Sequence, residues 1–115
     1  MPYHVAVVIR ANPTKTHRAV EALRIALGLS AGEHTVTVFL LDQAPALLTE
    51  DLEHVIDADI LEKYLPSLEQ LGTPFVVVEG TLSQFRITPG FNVREEQLFR
   101  IAELIASSDR ALVFS

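Results

Sequence analysis

Three short runs of the chain are apolar at nearly every position: Val5 to Ile9 (VAVVI), Val36 to Leu41 (VTVFLL) and Pro74 to Val78 (PFVVV). A strand with one face in water alternates apolar and polar residues. A strand covered on both faces does not, and runs as a continuous stretch of Val, Ile and Leu. These runs are far shorter than the roughly 20 apolar residues of a membrane-spanning helix. They fit central strands of a sheet sandwiched between helices, and that requirement restricts the fold more than any other feature.

The intervening segments supply the helices. After the first strand, read as Tyr3 to Arg10, Asn12 stands as an N-cap with Pro13 at the first helical position. Thr14 to Leu29 then carries Thr16, Ala19, Val20, Leu23, Ala26 and Leu27 at helical spacing, and Gly28 and Gly32 end the helix. His34 to Leu41 is the second strand. Thr49, followed by Glu50 and Asp51, reads as the cap of a further helix toward Ile56. From Asp57, the residues Ile60, Leu61, Tyr64, Leu65, Leu68 and Leu71 form one stripe, with a kink or break expected at Pro66. Pro74 to Val78 is the third strand. Asn92 with Glu95 resembles a capping box opening a last helix to about Ser107, and Arg110 to Phe114 closes the chain as a strand. Alternating strands and helices predict one domain over residues 1–115, of three-layer α/β/α architecture around a mostly parallel sheet of four to five strands.

Composition excludes several function classes. The chain has 115 residues, 49% of them hydrophobic, which suits one packed core. Its formal charge of -6, with no local Lys/Arg cluster, argues against a nucleic-acid partner. The segment MPYHVAVVIR has no export pattern, so a soluble, cytoplasmic protein is expected, with no membrane association. With no cysteine in the chain, disulfides, thiolate metal sites and thiol nucleophiles are ruled out together. His4, His17, His34 and His54 show no metal-binding spacing, and the acids from Glu50 to Glu62 lack a calcium-loop pattern. Neither G-x-x-x-x-G-K-[ST] nor G-x-G-x-x-G occurs, so no metal and no cofactor is expected.

In a parallel sheet the ligand crevice lies at the carboxyl ends of the strands. Two loops there carry chemistry. Asn12, Thr14, Lys15, Thr16 and His17 could hold a small anion at a helix N-terminus, or could simply cap that helix. Glu79, Gly80, Thr81 and Arg86 follow the third strand. Glu79 is a candidate general base with Arg86 orienting an anionic substrate, or alternatively an ion-pair partner of Arg86. Phe85 and Phe91, in or beside that loop, are candidate oligomer contacts, unless they pack back onto the domain.

The stretch EALRIALGLSAGEHTVTVFLLDQAPALL has a helix of the form A-L-x-x-A, a turn with glycine, an apolar second strand and a loop before another helix. With LEQLGTPFVVVEGTLSQFRIT and LIASSDRALVFS, this order resembles the DsrE-like family of small sulfur-relay proteins over nearly the whole chain. The resemblance implies that family's α/β fold and its habit of forming trimers or hexamers. It also implies a cysteine, in members that transfer sulfur, within the loop after the third strand. Glu79 occupies that place here. A carboxylate cannot be persulfidated, so the resemblance implies a binding or scaffolding subunit of a homo-oligomer, or of a mixed complex with thiol-bearing relatives, instead of a sulfur carrier.

Overall fold

The computed structural model describes residues 3–115; Met1 and Pro2, which entered the search for an export signal, lie outside them. The strands are β1 (His4–Ile9), β2 (Thr35–Leu40), β3 (Pro74–Val78), β4 (Asn92–Glu96) and β5 (Arg110–Phe114). The helices are α1 (Arg18–Ala31), α2 (Ala58–Leu71), the single turn α3 (Thr81–Gln84) and α4 (Leu98–Ala106), with a short 3-10 helix at Ala44–Leu48. The five strands form one sheet in the order β4-β3-β2-β1-β5, and all four pairings are parallel. The chain thus steps outward from β1 to β4. It then crosses back through α4 and sets β5 on the far side of β1.

The pleat of β1 sorts the core into two layers. Val5, Val7 and Ile9 point to the face covered by α1, α2 and the 3-10 helix, where Leu23, Leu47, Leu61 and Leu68 are fully buried. Ala6 and Val8 point to the opposite face, with Phe39, Val76 and Ile101. Only α4, nine residues long, covers that face among the described residues. β1, β2 and β3 are buried on both sides, as continuous apolar runs require. β5 is an edge strand: four of its five residues are exposed, and Phe114 is half-buried against the core.

Five local expectations give way to the structure. Asn12 does not cap α1, which begins later at Arg18; its Oδ1 instead accepts the Thr14 N–H (3.0 Å) and hydroxyl (2.8 Å), closing a turn of its own. Gly28 lies within α1 and Gly32 follows it. No α-helix starts at Thr49, which leaves the 3-10 helix in an extended conformation and makes an antiparallel bridge with Ile87. α2 runs unbroken through Pro66, because Leu61 and Leu68, both fully buried, anchor the helix on either side of it. Asn92 to Glu96 is a strand, and the last helix starts at Leu98. There the Asn92 amide donates to the Gly72 carbonyl (3.3 Å), and main-chain pairing with β3 outcompetes the local capping pattern.

Candidate functional site

Because all the strands are parallel, the loops after β1, β2 and β3 share one rim of the sheet. Main-chain hydrogen bonds tie these loops together. The Ile56 N–H donates to the Pro13 carbonyl and the Thr88 N–H to the Leu48 carbonyl, each at 2.8 Å. Two clefts open on the rim so formed.

The first is an acidic cleft of about 470 Å³ lined by Glu79, Glu95, Glu96, Gln97, Phe99 and Arg100. Glu79 directly follows β3 with its side chain exposed, and its N–H donates to the Glu96 carbonyl at 2.9 Å. Gly80 then takes a φ of +95°, which a glycine tolerates without strain, and turns the chain into α3. Two N–H groups of this turn already have an acceptor. Glu95, from the neighbouring strand, receives the Gly80 N–H (3.1 Å) and the Leu82 N–H (2.9 Å) on its Oε2. Glu96 pairs with Arg94 at 3.2 Å, and Arg100 lies 3.7 Å from Glu103. The cleft therefore gathers three carboxylates, with the Gly80 and Leu82 amides satisfied internally. It repels anions and attracts cations.

The second cleft, of about 500 Å³, is lined on one side by Thr49, Glu50, Asp51, His54 and Val55, and on the other by Gln84, Phe85 and Arg86, with Thr14 and Ala46 completing it. Its charges are of both signs. Val55 is buried and Phe85 half-buried, so part of its lining is apolar.

The structure separates residues that sequence reading grouped. Glu79 and Arg86 line different clefts and form no ion pair. Of the first loop, Thr14 reaches the mixed-charge cleft, whereas Asn12 and Thr16 are spent on local bonds; the Thr16 hydroxyl accepts the Arg18 N–H at 3.2 Å. Lys15 and His17 are exposed and line neither cleft. Thr81 is buried. Phe91 packs edge-to-face on Phe75, with ring centroids 6.0 Å apart, and Phe85 lines the mixed-charge cleft. The most exposed aromatic ring is one that sequence reading passed over, that of Phe99, 65% accessible. Its signal was present in LFRIAELIA, where Phe99 falls on the side of the helix opposite the stripe set by Ile101, Leu104 and Ile105. No group of three or more His, Asp or Glu side chains positioned for a metal ion occurs among the described residues.

A profile of the DsrE/DsrF-like family matches residues 4–114. The chain belongs to this family. The crystal structure of the ychN protein from E. coli superposes on this DsrE/DsrF-like chain with a TM-score of 0.73 and 20% sequence identity, covering 99% of this chain and 100% of that one. At that identity the likeness establishes a shared fold. Among curated protein sequences, none matches this chain.

Proposed function

We propose that this DsrE/DsrF-like chain is a non-catalytic binding or scaffolding subunit of an oligomer linked to sulfur metabolism. The observation that carries the reading is the acidic cleft at the end of β3, in a chain without a single cysteine. The family resemblance expects a thiol in the loop that Glu79 opens. A persulfide is anionic near neutrality, and here it would meet Glu79, Glu95 and Glu96, with the Gly80 and Leu82 amides already taken.

The scaffolding half of the reading draws on the surface. Leu98 and Phe99 on α4 are 62% and 65% exposed, and Val113 on the free edge strand is 56% exposed. Exposed apolar residues on a helix and an unpaired strand edge are the features that partner subunits cover. A second copy of the chain, or a thiol-bearing relative, would cover them.

Incubation with a persulfide donor followed by intact-mass measurement should leave the mass unchanged, and a gained sulfur atom would overturn the non-carrier reading. Sedimentation should show an oligomer that the triple variant Leu98→Ser, Phe99→Ser, Val113→Ser reduces to smaller species. A monomeric parent protein with no co-purifying subunit would refute the scaffolding role.

A further inference from the structure

The chain has seven arginines, and six are engaged within the fold. Arg10, Arg24, Arg94 and Arg100 are ion-paired, Arg18 donates to the Ser115 carbonyl, and Arg110 stacks 4.7 Å from the Tyr3 ring centroid. Arg86 makes no ion pair, side-chain hydrogen bond or ring contact among the described residues. Yet it lines the mixed-charge cleft together with Glu50 and Asp51, which are likewise without side-chain partners there. Opposite charges that share a cleft without pairing are held on separate supports.

Those supports can be identified. The carboxylates stand on the loop after β2 and the guanidinium on the loop after β3. The first loop is pinned by the Ile56 N–H to the Pro13 carbonyl, and the second by the Thr88 N–H to the Leu48 carbonyl and the Thr49–Ile87 bridge. The cleft is therefore preformed instead of collapsing around an internal ion pair. Its volume of about 500 Å³ suits a small molecule, and Val55 and Phe85 supply the apolar lining that such sites combine with a few polar groups.

We propose that this cleft binds a small zwitterion with an apolar body, of the class of a free aliphatic or aromatic α-amino acid. The ligand's carboxylate meets Arg86, whose planar fork matches it in a bidentate manner. Its ammonium meets Glu50 and Asp51, and its side chain lies against Val55 and Phe85. The site is independent of the acidic cleft around Glu79 and of the apolar surface assigned to subunit contact.

The test is amide-resolved NMR titration of the full chain with L-leucine, with N-acetyl-L-leucine lacking the ammonium and L-leucinamide lacking the carboxylate. L-Leucine should shift the amides of Thr49, Asp51, Phe85 and Arg86 saturably, and each blocked analogue should bind about tenfold more weakly or worse, as loss of a charge-assisted contact predicts. Arg86→Gln should erase the preference for L-leucine over L-leucinamide, and Asp51→Asn should reduce that over N-acetyl-L-leucine. Both residues are exposed, so these variants should keep the parent spectrum elsewhere. Absence of saturable shifts, shifts confined to other parts of the molecule, or equal binding of the three compounds would overturn the proposal.

Discussion

Gly90 holds a φ of +108°, and a Cβ built there would lie 2.9 Å from the carboxyl carbon of Glu69. The contact is with the end of a flexible side chain, which can swing away, but the backbone conformation remains costly for any other residue. Gly90→Ala should destabilise the fold by about 1–2 kcal/mol in denaturant unfolding, and adding Glu69→Ala should recover only a minor part. On α1, a hydrogen bond from Arg24 holds the Glu21 carboxyl below its ordinary range, with the Arg24 charge acting in the same direction. Because the folded-state value is depressed, the pair supports the fold above the normal carboxylate range and ceases to do so as the pH falls through the depressed value. Titration by NMR should return Glu21 to the ordinary range in Arg24→Ala. Glu79 illustrates what sequence leaves open at this scale. Its place at the end of an apolar strand is legible from VVVEG, whereas its exposure and its separation from Arg86 depend on how Gly80 turns the chain.

Among the elements, α4 shows how one helix divides between fold and surface. Ile101 is 1% exposed and locks α4 onto Phe39 and Val76, so Ile101→Ala should cost about 2–5 kcal/mol in equilibrium unfolding. The central strands were legible because two-sided burial leaves a continuous apolar run, and β3 and β5 have the boundaries their sequences suggest. β4 was not. NVREE is half-covered at a sheet margin, has no apolar period, and spaces Asn92 and Glu95 as a capping box does. Its pairing with β3 comes from residues some twenty positions away, beyond the reach of a local pattern. The acidic cleft is hidden with it, because the capping-box pattern places Glu95 and Glu96 in the first turn of a helix instead of at the end of a strand beside Glu79.

At the scale of the molecule, the sheet order explains where ligands and partners would go. The loops after β1, β2 and β3 converge on one rim, and the return crossover leaves β5 and the outer side of α4 bare. The same order has a consequence for biosynthesis. β1 lies inside the sheet, but one of its two neighbours, β5, is more than a hundred positions downstream; the His4 N–H bonds the Asp109 carboxylate across a separation of 105 residues. Until that distant segment leaves the ribosome, VAVVI stays open along one side, an uncharged template that any similar strand can join. A chain terminated before Arg110 should therefore scatter light as aggregate under conditions where the complete chain stays dispersed, and a clear, monodisperse truncate would show that β1 tolerates its bare side. The strand that starts the sheet is the one that waits longest to be sheltered.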